Sequence, residues 1–132
     1  IEHIGIATDD LSKGKKFWNQ ILNITHTHSE EVENQGTITD IYDTGNGKIE
    51  LLLSKYPNSP IAKFIKNRGC GIHHLCLKVD SIDGAIKELK ENNIKLIGDD
   101  YTIGAEGYKV IFIHPSSTGG VLLELAEEGT KG

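Results

Sequence analysis

Apolar and polar positions alternate from the first residues of the chain. In His3-Ile4-Gly5-Ile6-Ala7-Thr8, Ile4, Ile6 and Thr8 share one face of a strand, while His3, Gly5 and Ala7 share the other. The pattern returns in His74-Leu75-Cys76-Leu77, with Leu75 and Leu77 on the apolar face. An Asp follows each strand, Asp9 or Asp80, placed to cap the free amides of a starting helix. The first helix carries Leu11, Phe17, Trp18, Ile21 and Leu22 on one side. The second carries Ile82, Ala85, Ile86 and Leu89 at i, i+3, i+4 and i+7. Both stripes predict burial against a sheet. Shorter extended runs follow each helix, at 24–32, 36–43 and 48–53, then at 94–97, 108–113 and 121–126. Thr44-Gly45-Asn46-Gly47 supplies the positive-φ positions of a hairpin, and 60–66 reads as a short linking helix that begins with Pro60.

These elements form a duplication. His3 matches His74 at an offset of 71, and Ile49-Glu50-Leu51 matches Leu123-Glu124-Leu125 at an offset of 74. A chain of 132 residues is close to the usual size of one domain. The expectation is therefore an α+β fold with one domain over 1–132, built from two βαβββ modules at about 1–56 and 71–128.

The duplication singles out four side chains. Ile4 and Ile6 face the helix, so His3 faces the other side of its strand, and Leu75 and Leu77 place His74 likewise. A one-residue shift to His73 would turn that side chain to the helix face. Glu50 lies between Ile49 and Leu51, and Glu124 between Leu123 and Leu125. A carboxylate in such a strand is costly to bury unless it is paired or bound to a metal. Taken singly, a strand histidine is more often a hydrogen-bonded residue than a ligand. Finding the same pair twice reverses that weighting. His3, Glu50, His74 and Glu124 are thus the expected ligands of one divalent cation, octahedral with two positions open. The N/O donor set suits Co²⁺, Mn²⁺, Ni²⁺, Fe²⁺ or Zn²⁺ better than Ca²⁺. His26, His28 and His114 have no counterpart in the other half and are expected on surfaces or loops.

Composition narrows the class. The chain is 37% hydrophobic and 25% charged, ordinary for a globular protein. With 14 basic against 19 acidic residues its net charge is -5, which argues against nucleic acid as a partner. No apolar run approaches the roughly 18 residues of a membrane span, and the first residues lack the pattern of a secretory signal. Cys70 and Cys76 are expected as reduced thiols in a cytoplasmic protein.

The motifs also carry a resemblance. His3-Ile-Gly-Ile-Ala and the final Glu124-Leu125 are similar to pieces shared across the vicinal oxygen chelate superfamily. Ser59-Pro-Ile-Ala-Lys-Phe64, Gly71-Ile-His-His-Leu75 and His114-Pro-Ser-Ser-Thr-Gly-Gly-Val-Leu-Leu-Glu-Leu125 resemble its methylmalonyl-CoA epimerase group. That resemblance implies two modules whose mixed sheet curls around a metal, a homodimer, and an acyl-CoA partner. It also implies proton removal and return at C2 of methylmalonyl-CoA, through an enolate that the metal stabilises. Co²⁺ would be the first metal to try in activity assays. The chain departs from the pattern of some epimerases, with Thr39 where they have a Glu and Glu50 where they have a Gln. Glu50 and Glu124 are accordingly the expected opposing bases. Asp40 is the reserve, although alternation sends it to the other face from Thr39. Lys109 and Ser116-Ser117-Thr118 are candidate contacts for the CoA part. Glyoxalase I shares the His/Glu/His/Glu set, but its glutathione carboxylates would favour arginine forks, and Arg68 is the sole arginine. The superfamily also contains non-catalytic proteins that sequester antibiotics.

Overall fold

Strand formation begins where the alternation begins. In the computed structural model, which describes residues 1–129, β1 spans His3–Thr8 and α1 spans Leu11–Lys15. A π-helical turn, Lys16–Ile21, continues α1. Then come β2 (Thr25–Val32), β3 (Thr37–Asp43), β4 (Lys48–Ser54) and the linking helix α2 (Pro60–Arg68). The second half repeats the order with β5 (Gly71–Lys78), α3 (Ile82–Glu91), β6 (Leu96–Ile103), β7 (Lys109–Ile113) and β8 (Leu123–Glu127). The βαβββ order occurs twice, as the duplication predicts. Among the described residues no helix is long and apolar enough to cross a membrane.

The chain divides into two compact units. One is His3–His73; the other joins Ile1–Glu2 to the described residues from His74 onward. In the first unit the strand order is β2-β3-β4-β1, with β1 parallel to β4 and the other pairs antiparallel. In the second it is β5-β8-β7-β6, with β5 parallel to β8 and the other pairs antiparallel. The two units share one topology.

In the second unit the predicted helix stripe is the core. Ile82 and Ile86 of α3 are buried with Ile111, Ile113 and Leu125, and Leu77, Ala85, Leu89 and Leu123 pack around them. The first unit differs. Phe17, Ile21 and Leu22 are 47–60% exposed. The π turn is the reason: Leu22 N donates to Phe17 O at 3.1 Å, an i→i+5 bond. Side chains spaced for an α-helix therefore drift off a single line. Contact with the sheet is made at Gly14 instead, where a Cβ would stand 2.2 Å from Leu51 Cδ1.

Both helix caps lie one residue later than the sequence suggests. The Asp10 carboxylate accepts from Lys13 N at 3.0 Å, and the Ser81 hydroxyl accepts from Gly84 N at 3.1 Å. Asp9 and Asp80 stand one position too early to reach those amides. β6 runs further than the predicted 94–97 because its pairing resumes at Thr102, beyond an irregularity that follows Ile97.

Candidate metal and active site

In each unit a histidine from the first strand meets a glutamate from the last. His3 Nδ1 lies 3.0 Å from Glu50 Oε2 in the first unit. His74 Nε2 lies 3.1 Å from Glu124 Oε1 in the second. All four residues are buried, at 5–6% exposure. Parallel pairing explains the meeting. Gly5 is opposite Glu50 on β4, and Cys76 is opposite Glu124 on β8. Each histidine sits two residues before that position, hence on the same face, one pleat away.

The neighbours on each face are mostly apolar, although Thr37 and Thr39 of β3 are buried on the side of Glu50. Ala7 and Leu52, on the side of His3 and Glu50, are buried beneath Ile61, Phe64 and Ile65 of α2. Ser59 caps α2 by accepting from Ala62 N at 3.1 Å, and its hydroxyl also bonds that of Ser54. In the second unit Cys76, Val110 and Ala126 form a small cluster with Tyr108. Phe112 lies opposite Glu124, and its ring stands 5.5 Å from the His74 ring at 84°. Imidazole nitrogens are borderline Lewis bases and carboxylates hard ones, a mixed donor set of the kind that first-row divalent cations accept.

The remaining candidates are sorted by face. His73 stacks its ring edge on Phe64, 5.0 Å between centroids, which is a packing role. Asp40 lies on the opposite face of β3 from Thr39 and Ile41, so it does not share the side of Glu50. There it accepts from the Ser29 hydroxyl, and His26 Nε2 is 3.7 Å away. Tyr42 packs on His26 at 5.0 Å, and burial together with the Asp40 charge pushes its phenol up to about 12. His26 is therefore half-buried on a strand, where the sequence suggests a surface. His28 is exposed, and His114 caps a short 3-10 turn by accepting from Ser116 N at 3.0 Å. Lys109 is 3.9 Å from Glu127 and lies over the Tyr101 ring. The Ser117 hydroxyl accepts from Lys95 N and ties the loop to the start of β6, while the Thr118 hydroxyl accepts from Val121 N within the loop.

Phe112 and Cys76 escape the sequence reading as neighbours of the site. Their signal was available in the duplication. Cys76 stands at the repeat position of Gly5, and Phe112 on β7 stands opposite Glu124 as Ile41 on β3 stands opposite Glu50.

Paired His–Glu strands in two copies of one βαβββ unit define a known class of protein. The Glyoxalase/Bleomycin resistance protein/Dioxygenase superfamily matches residues 2–112, and the chain belongs to that superfamily. Its relatives narrow the comparison. The mitochondrial methylmalonyl-CoA epimerase of Bos taurus is 38% identical over 96% of this chain and 73% of its own length. The crystal structure of methylmalonyl-CoA epimerase from Mycobacterium tuberculosis is 30% identical, with a TM-score of 0.93 over 98% of this chain and 88% of that one. A hypothetical protein of Bacillus halodurans is 39% identical, with a TM-score of 0.95 over 100% of this chain and 96% of that one.

Proposed function

We propose that this chain interconverts the two epimers of methylmalonyl-CoA. One divalent cation per chain would be held by His3, Glu50, His74 and Glu124, and Glu50 and Glu124 would move the proton at C2. The observation that carries this reading is the buried His–Glu pair at matching strand positions of both units. Relatives named for the reaction, similar over nearly the whole chain, supply the substrate.

When bound, the cation supplies Lewis acidity to a substrate whose C2 lies between a carboxylate and a thioester, worth several kcal/mol of the barrier. Co²⁺, Mn²⁺, Ni²⁺, Fe²⁺ and Zn²⁺ all suit the donor set. The side chains do the rest. One glutamate takes the C2 proton on its face and leaves a planar carbon conjugated with the thioester carbonyl. The other returns a proton on the opposite face, and the configuration inverts. Each turnover leaves the two carboxyl groups with exchanged protonation. Water, or a turnover in reverse, resets them, so protons from solvent enter the product. Burial of both glutamates keeps bulk water from competing for the carbanion.

The same reading places the chain in the cytoplasm as a homodimer. Cys70, exposed, and Cys76, buried, stand outside any disulfide among the described residues, which suits a reducing compartment. To test the substrate, metal-reconstituted protein is given a single epimer of methylmalonyl-CoA and, separately, the hemithioacetal of methylglyoxal and glutathione. Inversion of the first with the second untouched is the expected result. Turnover of the hemithioacetal alone would make the protein a glyoxalase I, and turnover of neither would make it a binding protein.

A further inference from the structure

The two His–Glu pairs are equivalent in sequence, yet their surroundings differ. Opposite Glu50 the neighbouring strand offers Ile41; opposite Glu124 it offers Phe112. The Phe112 ring stands nearly perpendicular to the His74 imidazole, 84° at 5.5 Å, while His74 Nε2 lies 3.1 Å from Glu124 Oε1. An imidazole donates to a cation along a lone pair that lies in the plane of its ring. Rotation of that plane therefore aims the nitrogen away from the ion even when the residue stays in place. His74 Nε2 and Glu124 Oε1 stand side by side, as two ligands of one ion would, and a flat aromatic neighbour restrains the rotation that this leaves free. An aliphatic side chain has no such plane.

From this arrangement we infer that Phe112 is a positioning residue, which fixes the plane of the His74 imidazole and thereby sets the affinity of the site for its cation. The inference rests on the metal reading given above. Groups that orient a metal ligand commonly change affinity by about 10- to 100-fold when lost. A single ring contact belongs at the lower end, about 10-fold.

The test uses metal-free protein titrated with Co²⁺ against a chromophoric chelator. Phe112→Leu and Phe112→Met, which lack the ring, are expected to bind Co²⁺ about 10-fold more weakly. Phe112→Tyr, which keeps the ring, is expected to stay within about twofold of the wild type. Val110→Ala, on the same face of the same strand, is the control for lost packing. It is expected to lower the urea midpoint of the metal-free protein and leave Co²⁺ affinity unchanged. Should both ring-free variants fail to fold, the His74 ring protons of the metal-free wild type still answer the question. Phe112 should displace them from their ordinary positions through its ring current, and Phe112→Tyr should preserve the displacement. Wild-type affinity in Phe112→Leu or Phe112→Met, or undisplaced His74 protons, overturns the inference. A wild-type chain that takes up no Co²⁺ overturns the metal reading itself, and is seen before any variant is made.

Discussion

Tyr42 carries a hydroxyl into the interior of the first unit without a hydrogen-bond partner among the described residues, and the whole side chain is inaccessible. A buried hydroxyl left unsatisfied costs about 1–3 kcal/mol. Tyr42→Phe is therefore expected to stabilise the protein by about 1 kcal/mol in urea denaturation. It should also change the alkaline limb. The phenol ionises near 10 when unfolded and is pushed up to about 12 by burial and by Asp40. Because the folded value is raised, this contribution is whole below pH 10 and is lost between about 10 and 12, as the unfolded chain releases its proton first. Two pH units amount to about 3 kcal/mol. The stability difference between wild type and Tyr42→Phe should widen over that window in the variant's favour; a constant difference would contradict the account. At the functional face, Glu50→Gln keeps the size of the side chain and removes its basicity. Activity should fall by roughly 10²- to 10⁴-fold while Co²⁺ still binds. Strand alternation was enough to place His3, Glu50, His74 and Glu124 on the right faces. It carried no information on which imidazole nitrogen meets which carboxylate, because that depends on side-chain torsions. For the same reason the Phe112 contact had to be seen.

Among the elements, α3 and the first helix make an instructive pair. The stripe of Ile82, Ala85, Ile86 and Leu89 translates directly into a core, because the helix is regular and Ser81 caps it. The equivalent stripe of Phe17, Trp18, Ile21 and Leu22 does not, because the backbone passes into a π turn after Lys15. Nothing in a 3.6-residue period reveals an i→i+5 bond, so that helix was legible in existence and not in direction. Gly14 takes over the contact. Gly14→Ala sets a methyl against buried Leu51 and is expected to cost about 1–3 kcal/mol, read as a lower urea midpoint. An unchanged midpoint would mean that α1 does not approach β4 so closely. Caps belong to the same scale. Ser81→Ala removes the acceptor for Gly84 N and should cost about 1 kcal/mol, whereas Asp80→Ala should cost less.

For the molecule as a whole, duplication was the feature most legible in the sequence. It predicts the βαβββ order twice and sets His3 with Glu50, and His74 with Glu124, at equivalent positions of the two copies. Two repeated pairs also make a clear functional claim, since each histidine should matter as a ligand and little as a packing element. His74→Ala is expected to abolish Co²⁺ binding and activity while the circular dichroism stays native. Substrate identity was not legible in the pairs, which glyoxalase I shares; it came from the longer motifs and from the relatives. The most direct test of the account is proton NMR in D₂O, with metal-reconstituted protein and one epimer of methylmalonyl-CoA. The account predicts loss of the C2 proton signal with growth of the other epimer, both stopped by a chelator and restored by Co²⁺. A C2 proton that persists under every divalent cation, or exchange that continues in the chelated protein, would contradict it.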